Sequence, residues 1–87
     1  MQVCKFAGNF VIQKRSNKMN KHYYVNKNAQ TTGEHEVHSE DCKYLPTANN
    51  RLYLGYFDNC RDAIKEASKY YDKVDGCYYC CSLCHTK

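Results

Sequence analysis

Four of the seven cysteines fall within one short run, Cys77-Tyr-Tyr-Cys80-Cys81-Ser-Leu-Cys84, and His85 follows at once. The run holds two C-x-x-C pairs laid end to end. Such a pair sets two sulfurs on one side of a tight turn, as a tetrahedral zinc ion requires. A chain of 87 residues makes one domain, since it buries only about 60 to 65 % of its unfolded surface. A core of that size supplies about 3 to 5 kcal/mol, so disulfides or a metal are expected to staple it. The cysteine count is odd, and Met1–Ile12 shows no apolar h-region or cleavage site of a secretory signal. Both features point to a reducing, cytoplasmic setting, where clustered thiols serve as ligands rather than bridges.

Zinc needs two further donors, and His38-Ser-Glu-Asp-Cys42 offers them at an H-x-x-x-C spacing that a strand end and the following turn can bring together. Within the C-terminal run the choice stays open. C-x-x-C logic selects Cys77 with Cys80 or Cys81 with Cys84, whereas counting from Gly76 selects Cys80 with Cys84. Cys80 and Cys81 are adjacent and point apart, so one of them falls outside the site. His22 and His35 read as partly exposed strand residues, with His35 near enough to substitute for His38. Cys4 and Cys60 read as small apolar residues. Cys81-Ser-Leu-Cys84-His85 also matches the C-x-x-C-H of c-type haem attachment, but that chemistry follows export and leaves the other cysteines without a role.

The apolar pattern places these residues on elements. Phe10, Val11 and Ile12 suit a strand, and the polar stretch Lys14–Lys21 a loop. His22–Val25 and Glu34–His38 flank turn chemistry over Asn26–Gly33, which reads as a hairpin with a long loop. Ser39–Leu45 reads as one helical turn stopped by Pro46. Arg51–Phe57 reads as a central strand, with Leu52, Leu54 and Tyr56 on one face, Tyr53 and Phe57 on the other, and Gly55 marking a bulge or close approach. Asp58 or Asn59 caps a helix on which Cys60, Ala63, Ile64, Ala67, Tyr70, Tyr71 and Val74 recur at helical spacing. Gly76 suits the left-handed position that ends it. The expected architecture is α+β: a small antiparallel sheet, one long amphipathic helix and a C-terminal zinc knuckle. Residues 1–21 form a basic segment, and residues 22–87 the core.

One family resemblance rests on these residues. Tyr24-Val-Asn-Lys-Asn28, Val37-His38, Cys42, Asn50-Arg51-Leu-Tyr53, Phe57, Ala63 with Ala67, Gly76, Cys80 and Cys84 stand in an order that resembles the Ada-type metal-binding domain. By that resemblance His38, Cys42, Cys80 and Cys84 are the zinc ligands. The last pair is one residue longer than the family's C-x-x-C, and Cys77 and Cys81 are extra thiols. The resemblance implies either a structural zinc module or a zinc thiolate that accepts a methyl group from DNA phosphotriesters, with Cys42 the nearest acceptor by position. A histidine ligand removes negative charge from such a thiolate and favours the structural role.

Charge completes the expectation. Met1–Gly33 carries six Lys or Arg and no acid, whereas the remainder carries seven basic residues against nine acidic ones. Lys14, Arg15, Lys18, Lys21 and Lys27 lie near Tyr23 and Tyr24, a mixture found on single-stranded nucleic-acid surfaces. A nucleic acid or a protein is the expected partner. No run approaches the ~18 apolar residues of a membrane span. No nucleophile, base and oxyanion set can be assembled, so catalysis is not expected.

Overall fold

The computed structural model describes residues 20–86. The strand expected at Phe10–Ile12, Cys4, and the basic residues Lys14, Arg15 and Lys18 lie outside them. Strands β1 (Lys21–Asn26) and β2 (His35–Ser39) pair antiparallel, with Val25 opposite Val37 and Tyr24 opposite His38. Both elements alternate, which sends Tyr23, Val25 and Val37 into the core. The loop between them closes through Gly33 N to Gln30 O at 2.8 Å and Gln30 N to Glu34 O at 2.9 Å.

Strand β3 (Arg51–Phe57) pairs antiparallel with the other side of β1, and β4 (Val74–Gly76) pairs parallel with β2. The order β3-β1-β2-β4 makes a mixed sheet with β3 at an edge. This corrects the antiparallel sheet and the central position expected for Arg51–Phe57. A parallel neighbour needs a crossover, and helix α1 (Cys60–Ala67) supplies it between β3 and β4 across one sheet face.

The long helix is also corrected. It ends at Ala67, after eight residues, with Asn59 Oδ1 accepting from Asp62 N at its start. Ser68 Oγ donates to Lys65 O at 2.7 Å, and the N–H groups of Tyr70 and Tyr71 both reach back to Ala67 O. The apolar spacing continues past Ala67, but other contacts explain it. Tyr71 stacks on His35, with ring centroids 3.7 Å apart, and Val74 stands opposite His35 in the parallel ladder. Helical period alone cannot tell these alternatives apart. Ser39–Leu45 forms hydrogen-bonded turns rather than a helical turn.

Gly76 is a strand residue, not a helix cap. A Cβ there would lie 2.8 Å from both Cys81 O and Cys84 Cβ, so glycine lets the C-terminal turn close onto β4. Val25, Val37, Ala63 and Ala67 are fully buried, and Cys81 packs among them. Cys60 and Cys84, 24 residues apart, form a disulfide that ties the start of α1 to the C-terminal turn. Among the described residues no helix is long and apolar enough to cross a membrane.

Gly76→Ala should therefore destabilise the fold by about 1–3 kcal/mol, the usual cost of overpacking. Denaturant unfolding reads it, and an unchanged midpoint would show that the turn yields at no cost.

Candidate metal centre

The site forms where β2 meets the turn that follows β4. His38 sits on β2, opposite Tyr24 and therefore on the face away from α1. Its side chain is 2 % exposed. The next turn closes through Cys42 N to Ser39 O at 3.2 Å and carries the Cys42 sulfur back over that face. On the other side, Cys77 N donates to Val37 O at 3.0 Å, which continues the parallel ladder by one residue. Cys81 N then reaches Cys77 O at 2.8 Å, so residues 77–81 make a single turn. Positions three apart on such a turn share a side, which brings Cys80 next to Cys77, while Cys81 enters the core.

The result is a cluster of four donor atoms, from His38, Cys42, Cys77 and Cys80, all within 4.8 Å of one another. The Cys42 sulfur lies 3.6 Å from His38 Nδ1 and 3.8 Å from the Cys77 sulfur, and the Cys80 sulfur lies 4.0 Å from His38 Nδ1. A tetrahedral ion with bonds near 2.3 Å to sulfur and 2.0–2.1 Å to nitrogen has edges of about 3.5–3.8 Å. The two separations from the Cys42 sulfur have that size, and the Cys80–His38 separation is a little longer. Two sulfurs also accept backbone N–H groups: Cys42 from Tyr44 and Cys80 from Ser39, each at 3.4 Å. The far ring nitrogen of His38, Nε2, faces Glu36 Oε1 at 3.8 Å. At that distance the two are near each other without a hydrogen bond. Burial raises the Glu36 carboxyl above its ordinary value.

Of the four residues expected as ligands, His38, Cys42 and Cys80 come together and Cys84 does not. Its sulfur is bonded to Cys60, and Cys77 completes the group. The C-x-x-C alternative of Cys77 with Cys80 thus describes the geometry, and the four-residue step counted from Gly76 does not. Cys60, read as a plain apolar residue, is the bridge partner. His35 is occupied elsewhere, its Nδ1 lying 2.9 Å from Asn26 O. His85 packs against Asp75, 3.1 Å away, at the far end of the C-terminal turn. That arrangement does not suit haem attachment.

The thiols of the cluster are held protonated when no cation is bound. Burial pushes Cys77 up to about 12 from an ordinary 9.0, and burial likewise raises Cys42. Cys80 is raised first by its contact with the Cys81 thiol and then by burial, and the same contact lowers Cys81. A group whose folded pKa is raised stabilises the fold below its ordinary pKa and loses that contribution as pH climbs through the raised value. The chelated protein should therefore weaken from about pH 9 upward. A bound divalent ion demands thiolates, so the loaded protein should weaken on acidification as protons displace the metal. Melting curves of both forms across pH check this inversion; parallel pH profiles would show that the cluster takes no metal.

No family model, no curated protein and no solved structure matches the chain.

Proposed function

We propose that this chain is a zinc-stabilised interaction module in which His38 Nδ1 and the sulfurs of Cys42, Cys77 and Cys80 hold one structural zinc ion. The observation that carries the reading is the convergence of four nitrogen and sulfur donors within 4.8 Å of one another. Three thiolates and an imidazole suit zinc better than magnesium or calcium, which prefer oxygen. The ion would join β2, the Ser39–Cys42 turn and the residue 77–81 turn.

A structural role follows from the donor set. Three thiolates and a neutral histidine leave the site with one net negative charge, less than an all-thiolate site carries. The N–H groups on Cys42 and Cys80 draw further charge from their sulfurs. Both effects blunt a thiolate nucleophile, which argues against the methyl-acceptor use known for the Ada-type domain. The Ada-like order of His38, Cys42 and Cys80 is compatible with the structural use, with Cys77 standing where Cys84 was expected.

Metal analysis of the protein purified without added zinc should give one zinc per chain, with apparent binding of roughly 10–16 kcal/mol coupled to folding. Cys42→Ser, Cys77→Ser and Cys80→Ser should each lose the metal. Cys84→Ser should keep it while losing about 3 kcal/mol of stability, the entropic value of closing a loop of this length. Zinc lost from Cys84→Ser but kept by Cys77→Ser would return the site to Cys80 with Cys84. Stoichiometric S-methylation by a phosphotriester donor would overturn the structural role.

A further inference from the structure

The sheet face opposite α1 carries a continuous set of rings that the core does not use. His22 and Tyr24 come from β1 and Tyr53 and Tyr56 from β3, paired across the strands as His22 with Tyr56 and Tyr24 with Tyr53. Their ring centroids lie 4.6 Å and 5.4 Å apart. His22 Nδ1 and the Tyr53 hydroxyl are 2.8 Å apart, which ties the two pairs together. Tyr53 and Tyr56 nevertheless remain 50 % and 56 % exposed. Rings held by one another yet open to solvent are preorganised for a flat ligand and lose little freedom on binding.

Cations frame the set. The Arg51 guanidinium lies 4.5 Å from the Tyr24 ring centroid. One of its N–H groups donates to Pro46 O at 3.0 Å, and the fork carries several more. Lys27 is exposed beside it, held there by its backbone N–H on Asn50 O. Acids near the face are engaged: Asp41 pairs with Lys21 at 3.0 Å, and Glu40 accepts the His22 backbone N–H at 3.1 Å. The formal net charge of the chain is +4.

We propose that this face binds single-stranded nucleic acid, with His22, Tyr24, Tyr53 and Tyr56 stacking on bases and Arg51 and Lys27 meeting phosphates. The proposal rests on the reading of the chain as a zinc-tied interaction module and names its partner class and surface. Exposed rings on a sheet need unpaired base faces, which a duplex hides within its own stack. Protein hot spots also use Tyr and Arg, but in well-packed pockets that exclude water, whereas Tyr53 and Tyr56 stand on an open face. Here every ring carries a polar atom, and the Arg51 guanidinium lies over one of them, Tyr24.

The test uses the full zinc-loaded chain and fluorescein-labelled single-stranded RNA and DNA oligonucleotides of mixed sequence, read by anisotropy at low salt. Both should bind, and a duplex of equal length should bind at least tenfold more weakly. Tyr53→Ala and Tyr56→Ala should each weaken binding about tenfold or more, and Tyr53→Phe should retain most of it. Arg51→Gln should lower the salt slope by about 0.7. Zinc content and melting are measured on every variant. A zinc-loaded protein that binds no single strand overturns this proposal and leaves the metal site standing, whereas metal-free protein that binds normally overturns the metal reading and leaves the face standing. Equal affinity for duplex, or Tyr53→Ala and Tyr56→Ala binding as the parent does, also overturns it. So does self-association abolished by Tyr53→Ala, which would show a second copy on the face.

Discussion

The hydrogen bond from Cys77 N to Val37 O, 3.0 Å long, is the contact on which the rest of the site depends. It prolongs the parallel ladder of β2 and β4 beyond Gly76 and so sets Cys77 beside His38. The turn that begins at Cys77 is short and cannot choose its own place. Its position comes from β4, and β4 is placed by its pairing with β2. Gly76 admits the turn because no Cβ stands between it and the Cys81 carbonyl. His38, delivered from the same stretch of β2, then meets two sulfurs whose positions the backbone has already decided.

The energetic logic follows from size. The fully buried apolar side chains are small, Val25, Val37, Ala63 and Ala67, with Tyr23, Leu54 and Cys81 around them. The C-terminal segment, residues 77–86, meets this core through Cys81, with Cys80 and Cys84 packed against it. Two links hold the segment from opposite sides. The Cys60–Cys84 bridge ties it to α1, and the hydrogen bond from Cys77 N to Val37 O ties it to β2. Asp75, buried at 2 % exposure, adds a third hold by accepting both the N–H and the hydroxyl of Thr86 at 2.9 Å. These holds act on different atoms, so loss of one leaves the others in place, and their effects are separable by mutation.

Local chemistry made much of this legible. The hairpin of His22–Val25 with Glu34–His38, the Asn59 cap and the grouping of His38, Cys42 and Cys80 all follow from alternation, capping preference and donor spacing. What failed to show was non-local. Val74 falls at a helical interval from Ala67, but its partner is His35, far away in sequence, and no period within the helix reveals a parallel strand. The Ada-type resemblance implies Cys80 with Cys84, and the count from Gly76 that selects the same pair presumes a helix end there. Once Gly76 is a strand residue, the count has a different origin, and the first C-x-x-C becomes the pair in place. Cys60 could not be paired from sequence because its partner lies across the helix and turn, and cysteine connectivity is set by the fold.

The aromatic face arises from one irregularity in β3. Strict alternation sends residues 53 and 56 to opposite faces, and on that pattern Tyr56 accompanies Leu54 into the core. The register against β1 instead skips Leu54, so that Tyr53 opposes Tyr24 while Gly55 opposes Tyr23 and Tyr56 opposes His22. A bulge of this kind restores the inward direction for Phe57 and turns Tyr56 outward. Gly55 makes it possible, because its φ of +139° suits glycine and an added Cβ would lie 2.9 Å from the Phe57 ring. One extra residue therefore divides the strand's aromatic residues, giving Phe57 to the core and both tyrosines to the open face. The row Tyr53, Tyr24, His38 then runs across three strands, and its last member is a donor of the cluster. Anything that holds His38 rigid also steadies the backbone of β1 and β2 beneath the rings, which gives the donor cluster and the exposed face one common support.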